Sequence, residues 1–115
     1  MEPQADSDIQ AIDDELAALN GLLEHRVRLA ICVLLSAHDA LTFTRLKQAL
    51  GETDGNLGAH LRKLEDAEYV LAEKTFRSRR PVTWYSLTPA GRSRLKQQID
   101  GLTLLIDRYY LDVLR

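Results

Sequence analysis

Two short helical patterns joined by a turn of about three residues constrain the fold more than any other feature of the sequence. In "LTFTRLKQALG", Thr42 can cap a helix, and Gly51 can take the left-handed position just past the helix end. The stretch "TDGNLGAHLRKLEDA" follows, with Thr53 as a good N-cap and with its leucines on one helix face. Two short helices with a glycine in the turn between them predict a helix-turn-helix motif.

After these helices the pattern changes to one that favours strands. The stretches "YVLAEKTF" and "VTWYSL" are rich in β-branched and aromatic residues. Residues 77–81 lie between them, so we predict a β-hairpin whose tip is five residues long. Arg77, Arg79 and Arg80 all fall within this tip.

Helical patterns also flank this central region. An apolar stripe at steps of three and four predicts a helix over residues 6–23, capped by Asp6, Ser7 or Asp8 and ended or kinked at Asn20-Gly21. Residues 25–37 form a second helix, which is apolar on nearly every side and is therefore expected to be buried all round.

The last helix follows the hairpin directly. Thr88 can cap it, and Pro89 falls at its first position, where a missing N–H costs nothing. Its apolar residues repeat with the spacing of a seam for another helix, although Gly101 could break it in two.

The apolar stripes on the two terminal helices predict a dimer interface. A single helix-turn-helix makes too few contacts for specificity, and a dimer doubles the DNA site that is contacted. Packing of the two helices against each other within one chain is the alternative, and both arrangements can hold together. The residues predicted for the dimer interface are Ile9, Ile12, Leu16, Leu19, Leu95, Ile99, Leu102, Ile106, Tyr109 and Val113.

Charge is distributed unevenly along the chain, although the net charge is only −2. Residues 41–96 carry eleven basic and six acidic side chains, whereas residues 1–40 carry two basic and eight acidic ones. A basic centre between acidic ends is typical of a nucleic-acid contact face, although chance segregation on a solvated surface gives the same sums.

The second helix of the helix-turn-helix has the outer face that DNA reading requires. Small residues let its backbone approach the bases, asparagine can pair with adenine, and arginine or lysine can reach guanine or phosphate. An ordinary amphipathic helix also has a polar outer face, but this one is followed by a basic hairpin. The residues predicted to line the major groove are Thr53, Asn56, Ala59, His60, Arg62 and Lys63.

Clustered arginines at a hairpin tip repel one another unless an anion is near. We therefore expect Arg77, Arg79 and Arg80 to hold the phosphate backbone or the narrow minor groove of DNA. A charged tip that blocks aggregation between strand edges is the alternative interpretation.

The stretches "HRVRLAICVLL", "LTFTRLKQALG", "TDGNLGAHLRKLEDAEYV" and "RRPVTWYSLTPAGR" together resemble the winged helix-turn-helix transcriptional regulators of bacteria and archaea, most closely the MarR/ArsR-like group. The resemblance covers residues 25 to about 99. It implies a dimeric repressor or activator with residues 54–65 as recognition helix and residues 77–81 as wing tip. Three positions depart from the family pattern: Ser78 and Glu68 stand where relatives often have glycine, and Gly58 lies inside the recognition helix.

The expected fold class is therefore α+β, mainly α with a β-hairpin wing, in a single domain. Residues 6–23 and 88–115 are the dimerisation helices, and residues 25–87 are the winged core. The expected partners are double-stranded DNA and a second copy of the chain. An effector molecule is possible, but no residue identifies one. A winged helix that binds a protein and does not read DNA is the alternative function.

Other classes of function lack support in the sequence. Cys32 is a lone cysteine in an apolar run, and the three histidines lie at no metal-ligand spacing, so we expect no metal and no cofactor. No phosphate loop or catalytic constellation is present, which predicts that the protein is not an enzyme. Without an apolar run of membrane-spanning length or a signal-peptide pattern, a cytoplasmic location is expected.

Overall fold

The computed structural model describes residues 3–110, with side chains from residue 7 onward. Val113, one of the residues predicted for the dimer interface, lies outside this range. The fold is mainly helical with a hairpin of strands, as predicted. In chain order the elements are α1 (Pro3–Ala17), a 3-10 turn (Gly21–Leu23), α2 (Arg26–Ala37), β1 (Leu41–Thr42), α3 (Phe43–Leu50), α4 (Asp54–Asp66), β2 (Val70–Arg77), β3 (Arg80–Leu87), α5 (Pro89–Leu105) and a π-helical turn (Ile106–Tyr110).

The helix-turn-helix forms from α3 and α4 through the capping residues that the sequence indicates. The Thr42 hydroxyl accepts a hydrogen bond from the backbone N–H of Arg45, which caps α3. Gly51 ends α3 in the left-handed region with φ of 63°. The Thr53 hydroxyl then accepts from the Asn56 N–H and starts α4.

The tip of the hairpin has two residues and not the predicted five. Ser78 and Arg79 have φ of 52° and 67°, so both central residues of the turn are left-handed, as in a type I′ turn. Arg77 and Arg80 pair directly across the two strands. The sequence prediction was wrong here because a tip without glycine gives little sign of two consecutive positive φ angles.

Three antiparallel strands form the sheet, in the order β1-β3-β2. The short β1 pairs only with Tyr85 and Trp84 of β3. Beyond this pairing the hairpin continues to its tip, where residues 76–81 are exposed to solvent.

The core lies between α2, α4, α5 and the sheet. Prediction and structure differ for α2, which is buried on one side only: Ile31, Cys32 and Leu35 are fully buried, whereas Val33 is exposed. The buried apolar residues are Leu23, Val27, Ile31, Cys32, Leu35, Leu46, Leu57, Leu61, Leu64, Val70, Tyr85 and Leu95.

The terminal helices depart from their predicted limits. Helix α1 begins at Pro3, ahead of the predicted capping residues, and ends at Ala17, before the predicted Asn20-Gly21 stop. Asn20 caps the following 3-10 turn instead. Helix α5 passes through Gly101 without a break. A Cβ at Gly101 would lie 2.7 Å from the Leu19 side chain, so the glycine permits a close approach between the two segments.

Leu95 was predicted to face a second copy of the chain, but it is buried in the core of its own domain. The apolar stripe of α5 starts where the helix packs on the core and continues where it does not. Its first position, Leu95, therefore belongs to the core. Leu95 is therefore unavailable to a partner.

The "LTPAG" stretch fastens the start of α5 to the turn that enters the hairpin. The Thr88 hydroxyl donates to the Glu68 carbonyl oxygen at 2.6 Å and accepts from the Gly91 N–H at 2.9 Å. A Cβ at Gly91 would lie 2.0 Å from the Tyr69 carbonyl oxygen, so no larger residue fits there. This contact sets where the hairpin leaves the helical core.

Candidate nucleic-acid interface

Helix α4 is held rigidly at the surface by its inner face and by its first turn. Leu57, Leu61 and Leu64 are almost completely buried beneath it. Asp54 in its first turn forms an ion pair of 2.8 Å with Lys47 of α3, which adds a modest link across the turn because both groups are exposed. The helix therefore presents one fixed outer face.

That outer face carries most of the residues predicted to read DNA. Thr53, Asn56, Ala59, Arg62 and Lys63 are exposed on it. Gly55 and Gly58 lie on the same helix, and a Cβ at either would meet no atom within 4 Å. The outer face of α4 is thus shallow along the first two turns of the helix and basic toward its C-terminal end, which suits a close approach to a base edge.

His60 differs from the other predicted residues because it is half-buried and packs against α2. Its ring lies 4.3 Å from the ring of His25, measured between centroids. Its Nδ1 atom is 3.2 Å from Nη1 of Arg28. Burial, together with the charges of His25, Arg28 and Lys63, lowers the pKa of His60, while Glu52 opposes the shift.

The hairpin tip brings the three predicted arginines together in an exposed position. Arg77 and Arg80 are cross-strand partners and share one face of the sheet, and Arg79 occupies the turn itself. The Arg77 guanidinium lies 5.9 Å from the centroid of the Trp84 ring, a cation–π distance that steadies this arginine. Phe76, next to them, is 77% exposed.

A separate apolar surface lies at the far end of the molecule, on α1 and the end of α5. A groove of about 460 Å³ opens there, and apolar side chains form nearly all of its wall. The residues that line it are Ile12, Leu16, Leu105, Ile106, Tyr109 and Tyr110. Ile9 nearby is 65% exposed.

The structure also bears on three other features considered in the sequence. Burial raises the pKa of the Cys32 thiol to about 11, so the thiol stays protonated and unreactive at neutral pH. Within residues 3–110, no cluster of three or more histidine, cysteine or acidic side chains has the arrangement of a metal site. None of the helices in this range is long and apolar enough to cross a bilayer.

A helix-turn-helix followed by a β-hairpin defines the class of winged-helix proteins. Residues 27–106 match the family model described as winged helix DNA-binding domain, and the chain belongs to this family. The uncharacterized protein MJ0432 of Methanocaldococcus jannaschii is 38% identical over 73 residues, which are 64% of this chain and 79% of that protein.

Solved structures agree with this membership. A transcriptional regulator homologue from Pyrococcus horikoshii OT3 superposes with a TM-score of 0.77 at 30% identity, over 82% of this chain and 95% of that chain. The YusO protein of Bacillus subtilis gives a TM-score of 0.69 at 19% identity, with coverages of 95% and 83%. Apo MarR from E. coli gives 0.61 at 18% identity, with coverages of 99% and 90%.

The MarR-like fold expected from the sequence is thereby confirmed. The family model describes a DNA-binding domain, and the Pyrococcus horikoshii structure is that of a transcriptional regulator homologue, in agreement with the prediction that the chain is not an enzyme.

Sequence reasoning missed the surroundings of His60. His25 and Arg28 are separated from it by more than thirty residues, and no local pattern joins them. The signal that could have found them is the helix-turn-helix itself, because α2 must pack beside α4 and brings its first turn against the middle of that helix.

Proposed function

We propose that this protein is a transcriptional regulator that binds double-stranded DNA sequence-specifically as a homodimer. One observation carries the proposal: a rigid helix with an exposed face of small, amide and basic residues lies next to an exposed arginine turn. Membership of a winged helix DNA-binding domain family supports it.

In this proposal α4 enters the major groove. Asn56 can make the paired hydrogen bonds that an adenine edge offers, and Arg62 or Lys63 can reach guanine or phosphate. Ala59 supplies an apolar contact of the kind a thymine methyl group accepts. Thr53 uses its hydroxyl oxygen to cap the helix, so its remaining role is to donate to a phosphate at the helix start.

The wing supplies contacts that position the domain without reading bases. Arg77, Arg79 and Arg80 put three positive charges at one end of a narrow hairpin, which suits the phosphate backbone or a narrow minor groove. Because phosphate contacts carry no direct sequence information, these arginines contribute affinity and orientation more than specificity.

Dimerisation is proposed from the shape of the chain and from its exposed apolar surface. The radius of gyration is 17.9 Å, compared with about 13 Å for a compact chain of this size, and the molecule extends over 67 Å. Apolar side chains remain exposed on the terminal helices. Two contacts already link the two ends within one chain: Leu19, just after α1, packs against Gly101 of α5, and Glu15 of α1 pairs with Arg108 of the π-helical turn. The proposed interface residues are Ile9, Ile12, Leu16, Leu19, Ile99, Leu102, Ile106 and Tyr109.

Substitution of Asn56 by alanine tests the assignment of the reading helix. The variant should lose about 1–3 kcal/mol of binding free energy on the selected site, and its preference should relax at one base pair of each half-site. The measurement is competitive binding to a set of duplexes that differ by single base pairs. Lys96→Ala, on the outer side of α5, serves as the control. An unchanged base preference in Asn56→Ala would contradict the placement of α4 in the major groove.

A further inference from the structure

A pair of histidines lies beside the proposed reading face, at the junction of α2 and α4. The rings of His25 and His60 are tilted by 44° to each other, with centroids 4.3 Å apart. Arg28, in the first turn of α2, donates from Nη1 to Nδ1 of His60. We call His25, His60 and Arg28 the histidine cluster.

Hydrogen bonds determine which ring nitrogen carries the hydrogen in each neutral imidazole. Nδ1 of His25 accepts from the Val27 N–H at 3.2 Å, as the cap of α2. Nδ1 of His60 accepts from Arg28, since a guanidinium can only donate. Both rings therefore hold their hydrogen on Nε2 when neutral, and a second proton would have to enter at an Nδ1 atom that is already used.

The cluster is continuous with the surface proposed to face DNA. Positions 56, 60 and 63 follow at steps of four and three along α4, so His60 lies in one stripe between Asn56 and Lys63. The charges that act on His60 are His25 and Arg28 from the α2 side, Lys63 from α4 and Glu52 from the turn before α4. Two permanent cations, Arg28 and Lys63, and one carboxylate surround the two imidazoles, so this corner is short of negative charge.

We propose that the histidine cluster contacts a DNA phosphate and takes up protons when it does so, which makes DNA affinity increase as the pH falls. The inference rests on the proposed function, since it needs DNA to lie along α4. A proton that enters at Nδ1 of His60 ends the contact with Arg28. Nη1 of Arg28 can then donate to the same phosphate, while its Nε remains bonded to the Leu22 carbonyl oxygen at 2.7 Å.

The direction of the effect follows from the electrostatics of the two states. In the free protein, burial and the neighbouring cations lower the pKa of His60. A phosphate beside the ring acts in the opposite sense and raises that pKa. Protons are therefore bound on association, and a tenfold increase in the proton affinity of His60 on binding corresponds to at most a tenfold increase in DNA affinity.

The test measures binding of the whole chain to a labelled random-sequence duplex of about 30 base pairs, roughly three helical turns. Fluorescence anisotropy is recorded at constant low salt from about pH 7.5 to about pH 5.5, the range in which imidazoles titrate. EDTA is present, so that a metal ion held by two imidazoles cannot imitate protonation. The variants are His25→Gln and His60→Gln, with His38→Gln as the control because His38 lies at the opposite end of α2.

Wild type and His38→Gln should bind roughly five- to tenfold more tightly at the acidic end of the range, whereas His60→Gln and His25→Gln should show a flatter response. Equal slopes in all four proteins would overturn the inference and leave the proposed function standing. Absence of DNA binding at any pH would remove both.

A residue-specific measurement guards against variants that fold poorly. Imidazole Cε1–H resonances of the wild-type protein are titrated by NMR with and without the duplex. DNA should raise the pKa of His60. Identical His60 titration curves in the two states would refute the inference.

Discussion

Glu68 holds a left-handed backbone conformation, with φ of 64°, in the turn between α4 and β2. This is the position where the resemblance to relatives led us to expect glycine, and the structure shows why glycine suits it. An L-residue in this conformation has its Cβ close to the following carbonyl oxygen, at a cost of about 1 kcal/mol.

Glu68→Gly should therefore stabilise the protein by about 1 kcal/mol, as measured by urea unfolding. Glu73→Gly is the matched control, because Glu73 is exposed on β2 in extended backbone, and this change should destabilise by roughly 0.5–1 kcal/mol. A loss of stability in Glu68→Gly similar to that of the control would show that the left-handed turn is not strained.

Single residues also mark where sequence reasoning reached its limit. The capping roles of Thr42, Thr53 and Thr88 could be predicted because each depends on a backbone N–H three residues further along the chain. The burial of Leu95 could not, since a heptad stripe looks the same whether it faces the core of its own chain or a second copy. His60 meets its partners only through the tertiary fold.

Among the elements, the wing shows the largest difference from the sequence-based expectation. Its strands pair from Val70–Leu87 to Arg77–Arg80, so the tip shrinks to Ser78 and Arg79. Neither residue is a usual choice for a type I′ turn, which favours asparagine and glycine. The β-branched and aromatic residues were enough to locate the hairpin, whereas the turn type depends on backbone angles that serine and arginine do not indicate.

Removal of charge from the wing should weaken DNA binding on all sequences alike. Arg79→Gly keeps the turn because glycine accepts a φ of 67°, and Arg80→Thr keeps the strand. The double variant should flatten the slope of log affinity against log salt by about one to two. Binding isotherms at several salt concentrations provide the measurement.

Lys96→Ala is the matched control for the wing, because it removes a positive charge from α5, where Lys96 pairs with Asp100. Its salt slope should equal that of the wild type. If the wing variant and Lys96→Ala behaved alike, the wing would have no role in holding phosphate.

At the scale of the whole molecule, partly buried hydrogen bonds connect the segment that carries the apolar groove to the segment that carries the wing. The Asn20 side chain donates to the Tyr69 hydroxyl at 2.6 Å, and the Asn20 N–H donates to the buried Gln98 at 2.8 Å. These bonds tie the segment after α1 to α5 and to the turn before the wing. A dimer formed through α1 and α5 would thus hold both wings in a defined relation.

Ile9→Asp should reduce dimerisation, because it places a charge in the apolar patch proposed to be buried between two copies. Sedimentation velocity should show a shift toward the monomer, with the helical content unchanged by circular dichroism. Val33→Asp is the control, since Val33 is 44% exposed on α2, outside the proposed interface. Equal masses for wild type, control and Ile9→Asp would contradict the proposed interface.

Selection of bound fragments from a random pool of duplex DNA tests the central claim most directly. We expect a palindromic sequence whose half-sites are about one helical turn apart, because a twofold dimer presents two copies of α4 to one face of the duplex. Enrichment of single, unpaired half-sites would contradict the dimer. No enrichment at low salt, together with a stable complex with another protein, would show that this winged helix is an interaction module and does not read DNA.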